Sequence, residues 1–189
     1  IVMATVTLDG RRFDARPDRI DFRDLSYRPP LQGLPPRYPS PDDLKKYLPA
    51  YESQNLILDQ GHEGACTGFG LAAVVNYLLW LQWLRAGQSS PAPARVSPRM
   101  LYHLARIYDE WPGEDYEGSS CRGAMKGWHH HGVCAEDFWP YRVDGQVRFI
   151  QPATGWAENA AERPLGAYYR IDKNSLVAMQ AAIHEVGAI

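Results

Sequence analysis

Cysteine is scarce. The 189 residues hold three, Cys66, Cys121 and Cys134. A small odd number builds no disulfide framework and suits a reducing compartment. Charge of one sign is also missing in excess. Lys and Arg number 20 against 22 Asp and Glu, a net of -2, with no large basic block. Nucleic acid and anionic membrane are therefore not expected partners. Long apolar runs are lacking too. The longest, Leu71 to Leu84, is interrupted by Asn76 and Gln82, too short and mixed to read as a membrane span. The opening, Ile1 to Gly10, has neither the basic start nor the long apolar core of a secretory signal. The expected location is cytoplasmic. His129-His130-His131 is the one metal-like cluster. Consecutive helical positions point about 100° apart, so three such rings do not easily share one ion, and no metal or cofactor is expected.

What is present is an ordinary globular balance, 45% hydrophobic and 22% charged, enough for one or two domains. One stretch organises it: Leu58-Asp59-Gln60-Gly61-His62-Glu63-Gly64-Ala65-Cys66-Thr67-Gly68-Phe69. A glycine-broken loop runs into one cysteine, and an apolar helical pattern starts at once with Cys66, Phe69, Ala72, Val75 and Leu79. A thiol at a helix N-terminus meets unpaired backbone N–H groups and the positive end of the helix dipole. That setting favours the thiolate, the reactive form. Gln60, just upstream, is placed to aim its side-chain amide beside the sulfur. With the Cys66 backbone N–H it would hold a developing oxyanion. A plainer reading is a small buried cysteine opening a core helix.

Gln60-Gly61 followed by Gly64-Ala65-Cys66 resembles the nucleophile segment of papain-like cysteine peptidases, including the Gln-to-Cys spacing. Two positions depart from that pattern. Thr67 replaces the usual aromatic, and Glu63 stands where the family usually has a disulfide cysteine. Pro17-Asp18-Arg19-Ile20-Asp21-Phe22-Arg23 resembles the start of the mature domain in that family, where the aromatic packs onto the domain. The block from Gly118 to Tyr141 looks like the family's substrate strand, its following helix, and a Gly-Val…Trp-Pro-Tyr segment. The resemblance implies that Gly118 and Ser119 pair their backbone with a peptide substrate and that Ser120 and Cys121 lie near a side-chain pocket. Strand addition of this kind takes affinity from main-chain bonds. The low cysteine count points to an intracellular, bacterial-type relative.

The resemblance implies an α+β, papain-like fold, mainly the helical half with its central helix starting at the nucleophile, plus the beginning of the β-rich half. Residues 1–57 read as an N-terminal arm with a Pro-rich insertion, 58–155 as the helical half, and 156–189 as the start of the β-rich half. Residues 2–8 alternate weakly, as an edge strand would. Prolines between Asp24 and Leu58 enforce extended backbone, and Ser40-Pro41-Asp42-Asp43 starts a short helix near 41–48. This arm either hugs the surface or restricts the cleft. The central helix runs to about Arg85, stopped by Gly87, and Ser97-Pro98 caps the next. A short helix is expected from Ala124 to His131, closed by Gly132, and another from Ser175 to Glu185. Ala157 to Arg163 reads as a helical turn. Ala167 to Ile171, and Val186 onward, read as strands.

An acyl-enzyme mechanism needs an imidazole beside the sulfur and a residue to orient it. In the resembled family His and Asn follow the nucleophile by about 130–150 residues, which falls beyond Ile189. The resemblance therefore implies a C-terminal half, or a second chain, that supplies both. His62 and His184 do not match the base. The partners expected are a peptide or protein substrate and that second half. The leading expectation is a cysteine endopeptidase using Cys66 and Gln60. A silent peptide-binding module and an amide-transfer or deamidating enzyme stand as alternatives.

Overall fold

The computed structural model describes residues 6–30, 34, 40–45, 48–111 and 116–189. The expectations for residues 2–5, for most of the proline arm at 31–39, and for parts of 41–48 and 109–118 lie outside the described residues. The elements in chain order are β1 (Val6–Leu8), β2 (Arg11–Phe13), β3 (Ala15–Arg16), α1 (Pro41–Lys45), α2 (Leu48–Ser53), α3 (Cys66–Arg85) and α4 (Pro98–Ile107). There follow β4 (Ser119–Ser120), α5 (Cys121–His131), β5 (Arg142–Val143), β6 (Gln146–Val147), α6 (Trp156–Ala161) and α7 (Leu176–Val186). The strands form three two-stranded pairs: β1 antiparallel to β2, β3 parallel to β4, and β5 antiparallel to β6.

The core is helical. Ala72 and Val75 of α3, Met100, Leu101 and Leu104 of α4, and Trp128 of α5 meet Val96, Val133, Cys134 and Trp139 from the connecting segments. Burying such side chains is the main favourable term in folding, about 25 cal/mol per Å² of apolar surface. Helix α3 is apolar on most faces because elements pack on several sides. On one side it buries Ala72 and Val75. On another, Tyr51 of α2 lies edge-on to Trp80, with ring centroids 5.5 Å apart. By length and composition α3 also satisfies the requirement for crossing a membrane. Here its first half is a core helix, with Thr67 and Asn76 buried and hydrogen-bonded.

Buried polar groups fix the crossings. Asn76 Oδ1 accepts from the Val96 N–H at 2.8 Å. Ser97 caps α4 by accepting from Met100 N, and its hydroxyl donates to the Trp139 carbonyl at 2.5 Å. Pro98 occupies the first turn, where its missing N–H costs nothing. Gly68 sets the α3–α4 approach. A Cβ there would stand 2.6 Å from both the backbone N and the Cβ of Tyr102, and 2.8 Å from the Pro98 carbonyl. Two of those atoms are backbone, so neither helix yields cheaply. Gly68→Ala is expected to destabilise the fold by about 2–3 kcal/mol, read as a lowered denaturant midpoint. An unchanged midpoint would mean that α3 and α4 do not cross this closely.

Several expectations hold in detail. Helix α3 ends at Arg85 with Gly87 at positive φ, and Gly132 at positive φ closes α5. Ser175 caps α7 by accepting from Ala178 N at 3.2 Å. Others need correction. Helix α5 starts three residues earlier than expected, at Cys121, because the Ser120 hydroxyl accepts from Gly123 N and so ends the strand at once. Ala167 to Ile171 is not a strand. One parallel bridge joins Arg170 to Ser26. Val186 belongs to α7, and Gly187 at φ 94 ends that helix instead of starting a strand. The β-rich half expected from residue 156 is thus represented by α6, α7 and one bridge. Phe22 does not pack onto the domain. It is 99% exposed.

Candidate active site

Cys66 is the first residue of α3 and is partly exposed. Ala65 precedes it as N-cap and has no side chain to cap the first turn. The backbone donors of that turn therefore face the approach to the sulfur without a side-chain acceptor. Beneath them Ala65, Phe69, Tyr102 and Tyr141 form a second buried cluster, with the Phe69 ring edge-on to Tyr141 at 4.6 Å. The start of α3 is thereby seated on packed aromatics.

Thr67, at the position of the usual aromatic, has a structural role. Its hydroxyl is buried and lies 2.5 Å from the Ser119 hydroxyl of β4. This bond ties the start of α3 to the strand that the resemblance marks for substrate. Cys121 opens α5 as Cys66 opens α3. Desolvation by neighbouring atoms pushes the Cys121 thiol above its ordinary value, with Asp18 and then Cys66 adding to the effect. Cys134 is fully buried, and its burial raises it to about 11. It is a core residue.

Gln60 is buried, and its side-chain amide points along the loop. Nε2 donates to the Glu63 carbonyl at 3.1 Å and to the Arg12 carbonyl at 2.6 Å. The first bond fixes the amide plane within the loop. The second is to β2, from outside the loop. A main-chain carbonyl oxygen thus occupies the donor that was expected to serve an oxyanion.

The same N-terminal segment covers the loop along its length. The Gly10 carbonyl lies 2.6 Å from His62 Nδ1. Arg11 Nε donates to Asp59 at 3.0 Å, and Arg12 pairs with Glu117. Asp14 abuts Gly118 so closely that a Cβ on that glycine would collide with the Asp14 carbonyl. Ala15 and Arg16 then pair in parallel with Ser119 and Ser120. Asp18 accepts from the Arg122 N–H at 3.0 Å in the first turn of α5, and the Arg122 guanidinium reaches Asp24. The backbone edge expected to take a peptide therefore holds an extended peptide, and it is the chain's own. Tyr51, near the far end of the proline arm, lies away from this edge. It packs at Trp80, 14 residues along α3 from Cys66, or about 21 Å at 1.5 Å per residue.

Electrostatics help hold this cover. The Gly61 N–H, and then Arg11, keep the Asp59 carboxyl below its usual range. A carboxylate favoured by the fold contributes at neutral pH and is lost as acid protonates it below its ordinary value. Asp59 is more than half exposed, so solvent screens the effect. Acidification is expected to raise hydrogen exchange in β1 and β2 about two- to threefold after correction for intrinsic chemistry. Asp59→Asn should show the raised exchange already at pH 7. Equal profiles for the two proteins would mean that Asp59 does not pin the hairpin.

Arg99, which the sequence did not single out, and Tyr141, the end of the Trp-Pro-Tyr segment, complete the loop's support. Arg99 of α4, 3% exposed, grips both Glu63 carboxylate oxygens at 2.8 Å. Its guanidinium also lies 4.3 Å from the Tyr141 ring centroid. The Tyr141 hydroxyl donates to the Gln60 carbonyl at 2.9 Å. The signal available was Glu63 itself, an acid where the resembled family has a disulfide. His103 packs against Trp139 and Phe149, and burial holds its pKa below the ordinary value. His129, His130 and His131 contact Tyr108, Tyr168 and backbone carbonyls, and among the described residues no cluster suits a metal ion.

No family model and no curated protein matches this chain. Among solved structures it is similar to xylellain, a cysteine protease from Xylella fastidiosa. Identity is 22%, the TM-score is 0.66, and the match covers 97% of this chain. It covers 65% of the xylellain chain, so this chain spans about two thirds of that protein's length. The mixed helix-and-strand fold resembles that part of a papain-like cysteine protease.

Proposed function

We propose that this chain carries the nucleophile of a papain-like peptidase that cleaves peptide bonds through an acyl-enzyme on Cys66. The observation that carries the reading is the junction at the start of α3. An accessible thiol opens the helix, Gln60 offers an amide from the preceding loop, and Thr67 binds that helix start to the β4 edge. In this reading the Cys66 sulfur attacks the carbonyl carbon of a peptide bond. Negative charge gathers on the carbonyl oxygen, where the Gln60 amide and the Cys66 backbone N–H stabilise it. The amine leaves with a proton, and water releases the acyl group.

The base that takes the thiol proton and returns it to the amine belongs to a segment beyond these residues, with an orienting Asn or Asp. The uncovered apolar surface supports that assignment. Ile20, Phe22 and Leu25, with Leu176, Val177 and Ile183 of α7, are all exposed. The xylellain match leaves about a third of that longer chain without a counterpart here. In the arrangement described, residues 10–16 occupy both the Gln60 donor and the β4 edge, so the site is covered by its own chain.

The β4 edge does hold an extended segment, and that observation favours a second reading, a peptide-binding module without chemistry. Mass spectrometry of the full-length protein mixed with an activated peptidyl ester separates the two. The peptidase reading expects an acyl adduct on Cys66 that decays with time. Peptide retained without any adduct would support the binding module.

A further inference from the structure

The chain around Gln60 closes on itself, and the closure passes through residues far from it in sequence. The Gln60 amide leans on the Glu63 carbonyl at 3.1 Å, and the Ala65 N–H donates to that same carbonyl at 2.7 Å. The Glu63 side chain is held by both arms of Arg99 at 2.8 Å each. Arg99 lies against the face of Tyr141, and the Tyr141 hydroxyl returns to the Gln60 carbonyl at 2.9 Å. Tyr141 also touches Phe69, one turn beyond Cys66. Every member except Glu63 is buried.

We infer that Arg99 is the positioning residue of the candidate oxyanion donor, acting through Glu63 and Tyr141 to fix the Gln60 amide relative to Cys66. The inference rests on the peptidase reading, because only that reading gives the donor a task. Its physical basis is geometric. A guanidinium fork held by two parallel bonds has one orientation, so it sets the rotation of the Glu63 carboxylate as a point charge would not. The ring stacked on its face blocks the fork from tilting. The Glu63 backbone then has a fixed carbonyl direction, and Gln60 Nε2 follows it. Stability alone is a poor account of such a pair, since buried ion pairs commonly add little over apolar packing.

The test uses the full-length protein and two reactions of Cys66. Acylation by a peptidyl ester develops an oxyanion. Alkylation by iodoacetamide does not. Arg99→Met keeps the length and removes the fork. It is expected to slow acylation about 30-fold with KM within about twofold, while alkylation stays within about threefold. Glu63→Gln should fall in the same direction. In a Gln60→Ala background Arg99→Met should cost nothing further, because the residue it serves is gone. Acylation and alkylation falling together would overturn the inference, as would full additivity with Gln60→Ala. Should Arg99→Met fail to fold, Arg99→Lys retains the charge without the fork and is read the same way. Absence of any acylation in the unaltered protein is the failure of the peptidase reading, not of the circuit. The circuit then stands or falls on hydrogen exchange. Arg99→Met is expected to raise exchange at residues 61–65 about tenfold while Val75 in α3 is unchanged, and equal exchange at 61–65 would overturn it.

Discussion

Replacing Cys66 by alanine is expected to lower peptide-amide turnover by the full-length protein about 10⁴-fold or more, to background. The size follows from mechanism. Without the sulfur no acyl intermediate forms, and what remains is binding and a donor for an oxyanion that water must create. Removing Gln60 instead leaves the nucleophile and takes one donor, worth on the order of 10²–10³ in kcat with KM little changed. Neither change should unfold the protein. Cys66 is partly exposed at the first position of α3, and Ala is at home there. A Cys66→Ala protein that retains a tenth of its turnover would remove the thiol from the chemistry and move attention to another nucleophile. The comparison with Cys121→Ala is informative. That thiol also opens a helix, but desolvation pushes its pKa up, so its loss should change turnover by less than about threefold.

Uncovering the site should act in the opposite direction. Deleting residues 6–16 is expected to raise kcat/KM for a peptide substrate on the order of 30-fold. The segment is held by the Gln60–Arg12 bond, the parallel pairing of β3 with β4, and the exposed pairs Arg11–Asp59 and Arg12–Glu117. A net hold of about 2 kcal/mol leaves the open form at a few per cent. Substrate binding to an infrequent open form is weakened by that fraction, and deletion restores it. A less drastic change is available. Ala15→Pro fixes the backbone φ away from the extended value of the β3 pairing and should raise kcat/KM in the same direction with a smaller gain. If deletion leaves kcat/KM unchanged, residues 10–16 are a structural strap and not a cover. If it abolishes folding, the Ala15→Pro protein still decides between them.

The helical frame was legible because its signals are local. Ser97-Pro98, the Gly87 and Gly132 stops, and the Ser175 cap each carry their physics within a few residues, and α3, α4 and α7 lie where those signals place them. The loop-to-helix junction at Cys66 was legible for the same reason. What escaped depends on contacts distant in sequence. No local feature of Arg12 says that its carbonyl will meet Gln60, 48 positions on. Ala15-Arg16 shows no strand pattern of its own, and its pairing exists because β4 offers an edge. Nothing in the sequence singled out Arg99, and only packing showed it buried under Tyr141 and Glu63. The strands expected at 167–171 and 186–189 failed for the converse reason. Their apolar and aromatic residues suit a sheet, but strands form only against partners, and among the described residues Arg170 finds a single bridge to Ser26. Phe22 likewise had a persuasive local setting and lies in solvent.

The role of Cys66 as the nucleophile of a peptide-binding cleft is tested by treating the full-length protein with a peptidyl chloromethyl ketone and mapping the modified cysteine over time. Cys66 is expected to be captured at least about 100-fold faster than Cys121, Cys134 to stay unmodified in its buried site, and a competing peptide to slow only Cys66. Capture of Cys66 and Cys121 at equal rates, indifferent to the competing peptide, would contradict that role.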